Sequence, residues 1–166
     1  MIRLSQSILY SVSYIKLSEV ILMDTRNNWI TFMFKCKYAY NCLQKQSIMD
    51  DCTNALKELE VYGFKFKEIG YGGNHVHFQS DIPKQYSVLV AEIMMKSHTS
   101  KRLFEKHPNL RKRYPRGSFW SGYEHHESTG FQDLESSAAY IRNQQMHHNV
   151  QVINDTQKSL PSFTAS

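Results

Sequence analysis

The chain lacks the features that mark disulfide-stabilised, membrane-spanning and nucleotide-hydrolysing proteins. Its 166 residues include only three cysteines, an odd number with no CxxC pair, and this usage is typical of reduced thiols in the cytosol. No apolar run approaches the roughly 18 residues that a membrane helix requires, so we expect no membrane partner. No stretch resembles a P-loop, and we expect no nucleotide cofactor.

The N-terminal segment from Ile8 to Met23 is partly apolar but does not have the pattern of a signal peptide. Lys16 and Glu19 interrupt it, and no small-residue cleavage site follows. We therefore expect a cytoplasmic protein. A natural start at Met23, preceded by a segment without function, is one hypothesis for this region.

The composition predicts one globular domain and a polyanionic partner. Of all residues, 41% are hydrophobic and 13% aromatic, which suffices for a buried core in a chain of this length. The net charge of +5 favours nucleic acid as the partner. We predict an extension of uncertain role at 1–28, the domain at 29–147, and a polar, disordered tail at 148–166.

The hydrophobic pattern predicts the order strand, helix, strand, strand, helix, strand, helix. The predicted strands lie at 29–36, 64–67, 75–78 and 118–126, and the predicted helices lie at about 44–61, 86–98, 100–106 and 132–146. This order is that of a split βαβ, ferredoxin-like α+β sandwich, in which helices cover one face of an antiparallel sheet, with an added C-terminal helix. The fold serves many functions, so the function must be argued from the site.

The tripeptide His75-Val76-His77 is the first candidate site. Side chains alternate faces along a strand, so both imidazoles project from one face while Val76 and Phe78 project from the other. Neutral imidazole is the commonest metal ligand in proteins, and two on one face supply half of a coordination sphere. The alternative is a pair of structural histidines on a half-exposed strand.

A tyrosine and a glutamine on the last predicted helix could complete such a site. Tyr140 and Gln144 are four residues apart, so a continuous helix would present both on one face. Two imidazoles and an amide oxygen could hold a divalent cation with positions open for phosphate oxygens. The tyrosine would then act as a nucleophile beside a polarised phosphate. The alternative is two polar side chains on a helix surface without further role.

Several segments in order resemble the single-tyrosine HUH transposases of the insertion sequence 200/605 group, over about residues 29–147. Histidines that precede the tyrosine also fit this group and argue against relaxases. The similar segments are TFMFKCKY at 31–38, HVHF at 75–78 followed by SDIPKQYS, KSHTSKRLFEKHPNL at 96–110, FWS at 119–121 and AAYIRNQ from 138.

The resemblance implies a role for each candidate residue. His75 and His77 would be the metal ligands of the HUH motif, Gln144 the third ligand and Tyr140 the nucleophile. Such enzymes act on single-stranded DNA with hairpin ends and use Mg²⁺ or Mn²⁺. The tyrosine attacks a backbone phosphate, which gives a 5′-phosphotyrosine and a free 3′-OH. The resemblance also implies a homodimer with active sites shared between subunits, and a nucleoid-associated location when bound to DNA.

A basic stretch with interspersed aromatic residues predicts the DNA-binding surface. The alternative is a solvated charged face without a partner. The candidate DNA-binding residues are Lys96, Lys101, Arg102, Arg111, Lys112, Arg113 and Arg116.

Two departures from the group matter. The chain has KYAYN at 37–41 where the group commonly has a basic KYRR-type sequence, which weakens a DNA-contact role there, and it has EHHE at 124–127 in a strand that is usually apolar. We expect the latter side chains to face solvent. A domesticated relative that processes repeat hairpins would use the same chemistry on another target. The remaining alternative is an inactive, nucleic-acid-binding ferredoxin-like protein.

Overall fold

The computed structural model describes residues 28–128 and 134–154, with only the backbone described at 123–128. Most of the predicted N-terminal extension and residues 155–166 of the predicted tail lie outside the described residues. The side chains of the EHHE stretch also lie outside them, so the expectation that they face solvent stays a prediction. Within the described residues, no helix is long and apolar enough to cross a membrane.

Four strands form one antiparallel sheet, and the fold is the predicted α+β, ferredoxin-like sandwich. Their order across the sheet is β2-β3-β1-β4, so the first and third strands are central, and Met33 pairs with His77 in their register. The strands are β1 Trp29–Cys36, β2 Lys65–Gly72, β3 His75–Asp81 and β4 Trp120–Ser128.

Two helices cover one face of the sheet. Helix α1 spans Gln46–Lys57 and continues as a 3-10 helix, Glu58–Tyr62, which ends where Gly63 adopts a left-handed conformation with φ of 91°. Helix α2 spans Val88–Lys106, and the Ser87 side chain accepts a hydrogen bond from Val90 N at its start.

The structure has one long helix where the sequence predicted two, at 86–98 and 100–106. Thr99, at the expected break, is fully buried, and its hydroxyl donates to the carbonyl of Met95 one turn earlier. Because neither glycine nor proline interrupts the run, the helix continues through it. Short helix α3, Pro108–Arg113, begins with proline at its first turn.

The core lies between the sheet and helices α1 and α2. Phe32, Phe34, Val76 and Phe78 are fully buried there, and the Phe32 and Phe78 rings stack with centroids 5.3 Å apart. The three cysteines are free and buried, as the low cysteine content suggested. Burial raises the pKa of the Cys52 thiol to about 12, so this thiol is protonated and unreactive at neutral pH.

The opposite face of the sheet is covered by the C-terminal helices, α4 Leu134–Arg142 and α5 Gln144–His147. Leu134, Ala138 and Ile141 are buried, as their spacing predicted. The Gln79 amide donates to Leu134 O at 2.9 Å. The single helix predicted at 132–146 is broken at Asn143, where φ of −92° and ψ of 11° depart from helical values.

Close contact between α4 and the sheet depends on Gly70 in β2. A Cβ atom on Gly70 would overlap the backbone carbonyl oxygen of Ile141. Gly70 pairs with His77 across β2 and β3, so the helix lies on the sheet face that bears the histidines. This arrangement brings the C-terminal residues beside β3, the strand that carries His75 and His77.

Part of the segment predicted as a disordered tail is in contact with the domain. Ile153 forms a bridge with Lys45, in which Ile153 N donates to Gln44 O at 2.8 Å and Gln46 N donates to Ile153 O at 3.1 Å. Val152 packs against the core. These contacts place Val152 and Ile153 against the domain, while the domain boundaries themselves stay predictions.

Candidate functional site

The two histidines of β3 have the alternation that the sequence predicted. Val76 and Phe78 are fully buried in the core, whereas His75 and His77 are half-buried on the other face. Their imidazole centroids are 5.1 Å apart with the rings nearly perpendicular. The two imidazoles, which come from successive positions on one face of β3, thus lie side by side on a central strand of the sheet.

His75 is oriented by the residue that precedes it. Its Nδ1 lies 2.8 Å from Asn74 Oδ1, an acceptor, so Nδ1 carries the proton and Nε2 keeps its lone pair. Partial burial lowers the pKa of the imidazole, and the charges of His148 and Lys35 lower it further. Both effects favour the neutral ring, which is the form that can bind a metal ion through Nε2.

Gln144 is buried against this nitrogen. Its Nε2 lies 3.1 Å from Nε2 of His75, and its Oε1 has no hydrogen-bond partner among the described residues. A buried carbonyl oxygen without a partner carries a desolvation cost that a bound ligand would remove. Rotation of the amide by half a turn would direct this oxygen toward the position that His75 Nε2 faces.

Two imidazole nitrogens and one amide oxygen fit a divalent cation that keeps open positions. Within the described ranges, no three His, Cys, Asp or Glu side chains form a group that could hold a metal ion. The candidate set depends instead on the neutral amide of Gln144 beside His75 and His77. Nitrogen and oxygen donors of this kind suit Mn²⁺ and, with retained waters, Mg²⁺.

Tyr140 lies in the same cleft as its own chain's histidines. Its ring centroid is 6.2 Å from that of His77, and its other neighbour, His147, stacks on it at 5.2 Å. The tyrosine is 49% exposed, so its phenol can meet a large ligand. The cleft has a volume of about 970 Å³, and its lining includes His75, His77, Tyr140 and Lys35.

Three residues of this cleft were missed by sequence reasoning. Asn74 fixes the His75 ring, His147 stacks on Tyr140, and the His148 ring lies 4.9 Å from that of His75. A weak signal existed, because His147 and His148 are three and four residues after Gln144, the spacing of neighbours on a helix surface. Their role could not be predicted without the break at Asn143.

The predicted DNA-binding residues have different surroundings. Lys96 forms an ion pair with buried Glu92 at 2.5 Å and donates to Ser121 O at 3.3 Å, so its charge is partly neutralised within the protein. Together with Lys101 it lines a cavity of about 510 Å³ that adjoins the cleft at Ser121. Arg102 is engaged by Glu58, with Nε 2.7 Å from Oε2.

The later basic residues lie around helix α3. Arg111 donates to Tyr114 O at 3.1 Å and covers the Phe104 ring. Lys112, Arg113 and Arg116 are exposed. Arg113 lines another cavity, of about 570 Å³, together with Lys45, Lys106 and His107. Lys96 and Lys101 thus lie on α2, which covers the sheet face opposite the histidines, and a contact of any of the seven residues with DNA stays a prediction.

Comparison with known proteins relates the chain to transposases. The family described as "Transposase IS200 like" matches residues 24–144. A candidate transposase from Deinococcus radiodurans R1 has a TM-score of 0.58 at 16% identity, covering 72% of this chain and 92% of that one. The REP-associated tyrosine transposase bound to a REP hairpin has a TM-score of 0.55 at 11% identity, covering 74% and 69%. No curated protein matches the chain. At these identities the two structures establish a common fold.

Proposed function

Because this chain belongs to the family of IS200-like transposases, we propose that it cuts and rejoins single-stranded DNA through a covalent bond to Tyr140. One observation carries the proposal. Tyr140 shares a single open cleft with His75 and His77, and Gln144 is buried against the first of these histidines. The arrangement joins a nucleophile to a potential cation site on one rigid sheet face.

In the proposed reaction, the phenolic oxygen of Tyr140 attacks a backbone phosphorus. The new bond joins tyrosine oxygen to phosphorus, and the bond from phosphorus to the 3′ oxygen breaks, which leaves a free 3′-OH. The phenol proton can pass to solvent because the side chain is half exposed. Attack by a 3′-OH at a new junction reverses these steps and releases the tyrosine, so no nucleotide hydrolysis is required.

His75, His77 and Gln144 would hold the divalent cation, either Mg²⁺ or Mn²⁺. A cation there would neutralise charge that develops on the phosphate oxygens. Gln144 is a neutral donor, so more of the positive charge remains for the phosphate than a carboxylate ligand would leave. Asn74 keeps the proton on the far nitrogen of His75 and thereby holds the near one ready to bind.

The substrate that best fits this site is single-stranded DNA adjoining a hairpin. Support comes from the structural neighbour that is bound to a REP hairpin, and from the positive charge of Lys35 in the cleft. The same neighbour favours a second candidate function, in which the protein processes repeat hairpins elsewhere in a genome. Both candidates use one chemistry and differ in target. The remaining alternative, an inactive protein that only binds nucleic acid, would not need a tyrosine and two histidines in one cleft.

The resemblance implies a homodimer with active sites shared between subunits, and a homodimer stays part of the proposal. In the described chain, however, the histidines already have a tyrosine from their own polypeptide within one cleft. We therefore propose that a single chain can form a complete site, whether or not two chains associate.

The test is a covalent adduct between protein and labelled single-stranded DNA hairpins, in the presence of Mg²⁺ or Mn²⁺, on a denaturing gel. Wild-type protein should give an adduct, and Tyr140→Phe should give none. Tyr62→Phe is the matched control, because Tyr62 is 52% exposed like Tyr140 but lies on the 3-10 helix after α1. No adduct from folded wild type, or an adduct from Tyr140→Phe, would reject the mechanism.

A further inference from the structure

The segment that leaves β1 carries two exposed tyrosines at the rim of the cleft. Tyr38 is 50% exposed and Tyr40 is 40% exposed. Tyr38 and Ala39 line the same cleft as His75, His77 and Tyr140. Tyr38 thus lies in the cleft of the proposed chemistry, and the Tyr40 ring contacts it with centroids 5.5 Å apart.

The backbone of this segment is held in an unfavourable conformation. Tyr38 has φ of 63° and Ala39 has φ of 53°, and two successive left-handed residues without glycine are rare. The flanking backbone is tied down, since Lys37 N donates to Phe119 O at 2.8 Å and Cys42 N donates to Tyr40 O at 2.8 Å. Strained segments of this kind persist where they position a functional group.

The tyrosine rings are positioned by a buried third tyrosine. Tyr38 stacks on Tyr114 with centroids 6.2 Å apart and planes at 25°, and Tyr40 meets the same ring edge-on at 5.7 Å. Tyr114 is 1% exposed, and its hydroxyl lies 3.3 Å from Cys42 Sγ. Tyr114 thus supports both rings from within the fold, while Tyr38 and Tyr40 stay 50% and 40% exposed, as the parts of an aromatic stacking platform must be.

Positive charge accompanies the rings. The Lys37 ammonium lies 5.6 Å from the centre of the Tyr38 ring, and exposed Lys35 lines the cleft on the same strand end. A nucleotide presents a flat base and a phosphate a few ångströms apart. Rings with neighbouring ammonium groups match both parts, and sequence-tolerant binding of single strands uses this combination.

We propose that the Tyr38–Tyr40 platform stacks an unpaired base of the DNA strand whose phosphate enters the cleft. The inference deepens the proposed function and rests on it for the identity of the strand. It gives a DNA-contact role to the KYAYN stretch, which has Ala39 and Tyr40 at the positions of the two arginines in the KYRR-type sequence. Stacking would fix the strand on one side of the phosphate that Tyr140 attacks.

Photocross-linking tests the contact directly. The probe is a thymidine oligonucleotide of about 20 nucleotides, longer than a typical single-strand binding site, with 5-iodouracil at its centre. Irradiation with Tyr140→Phe protein excludes covalent chemistry, and mass spectrometry then locates the cross-linked peptide. We expect cross-links at Tyr38 or Tyr40. Cross-links confined to peptides without these residues would overturn the proposal.

Affinity measurements with the same oligonucleotide separate a ring contact from a structural role. Tyr38→Leu should raise the dissociation constant about tenfold, because base–aromatic stacking has roughly this effect, whereas Tyr38→Phe should stay within about twofold of wild type. Tyr62→Leu is the matched control, an equally exposed tyrosine away from the cleft, and should bind like wild type. Equal affinity of Tyr38→Leu and wild type would overturn the proposal.

The outcome is independent of whether Tyr140 forms an adduct. If wild type cleaves hairpins while Tyr38→Leu binds and cleaves equally well, the platform proposal fails and the transposase proposal stands. If Tyr38→Leu weakens the binding of single strands but wild type forms no adduct, the platform proposal stands and the transposase proposal fails. A platform that instead contacts another protein would leave DNA affinity unchanged in Tyr38→Leu, which is the overturning result.

Discussion

Gly72 lies directly opposite His75 in the pairing of β2 with β3, on the same face of the sheet. A Cβ atom there would be 2.5 Å from Cε1 and 2.6 Å from Nε2 of the His75 ring. The ring would have to turn away, although Asn74 and Gln144 now hold it from two sides. The absence of a side chain at Gly72 therefore keeps His75 Nε2, the proposed metal ligand, in position.

We predict that Gly72→Ala weakens Mn²⁺ binding about tenfold, the loss typical when the support of a metal ligand is disturbed. Titration calorimetry with Mn²⁺ measures the change. Gly122→Ala is the control, because a Cβ on Gly122 would have no atom within 4 Å, and its affinity should equal that of wild type. Unchanged Mn²⁺ affinity in Gly72→Ala would show that the His75 ring does not need its present position.

Some residues of the site could be predicted from the sequence, and others could not. His75, Val76 and His77 were predictable because a strand alternates its side chains regardless of what surrounds it. His147 and His148 were not, since their contacts depend on how α5 lies against β2 after the break at Asn143, and the contact of Asn74 with His75 depends on the side-chain direction in the turn between β2 and β3. Local periodicity gives the face of a residue, whereas its partner across the fold requires the tertiary arrangement.

Among the elements, α1 and the end of α2 are joined by an ion-pair cluster on the side away from the cleft. Asp51 accepts from Lys106 Nζ at 2.6 Å and lies 2.9 Å from His107 Nε2. Partial burial alone would raise the pKa of the Asp51 carboxyl, but the hydrogen bonds from Lys106 and His107 outweigh this effect and lower it. The carboxylate thus links α1 to the chain that leads into α3.

We predict that this link stabilises the protein only above acidic pH. The native pKa of Asp51 lies below the unfolded value of about 3.9, so the stabilisation is fully present above that value and is lost as pH falls through the native pKa. Asp51→Asn should lower the free energy of unfolding by about 1 kcal/mol at pH 7, since the pair is partly exposed. Urea unfolding at a series of pH values measures the difference, which should shrink toward zero in acid.

Asp50→Asn is the control for this prediction. Asp50 is an exposed neighbour on the same helix that accepts from the Gln46 amide at 2.8 Å rather than from a cation. Asp50→Asn should lower the free energy of unfolding at pH 7 by less than Asp51→Asn does. A destabilisation by Asp51→Asn that stays constant between neutral and acidic pH would argue against the ion pair as its source.

The elements also differ in how well the sequence predicted them. Strand β1 has the predicted bounds because WITFMFKC combines β-branched and aromatic residues in a run too short for a helix. The split predicted within α2 was wrong, since polar residues near 98–100 do not end a helix without glycine, proline or a cap. The break in the last helix could not be predicted, because Asn143 carries no strong signal and the turn follows from burial of Gln144 against His75.

At the scale of the whole molecule, the central point is which chain supplies the tyrosine. Helix α4 packs on β2 of its own chain through Leu134, Ala138 and Ile141, and Gly70 permits a backbone approach that a larger residue would prevent. This packing brings Tyr140 beside His77 without a second subunit. The resemblance to the insertion sequence group predicts instead that the tyrosine serves the histidines of a partner subunit. The sequence alone cannot distinguish a site within one chain from a site shared between two.

A mixing experiment separates the two arrangements. Tyr140→Phe retains the histidines but has no nucleophile, and His77→Ala retains the nucleophile but has an incomplete ligand set, so each alone should give no adduct with labelled hairpin DNA. If sites are shared between subunits, mixed dimers combine intact histidines with an intact tyrosine and restore the adduct. Because the packing of α4 pairs Tyr140 with its own His77, we expect the mixture to stay inactive. Wild type mixed with each variant is the control and should retain activity, and an adduct from the two variants together would contradict the single-chain site.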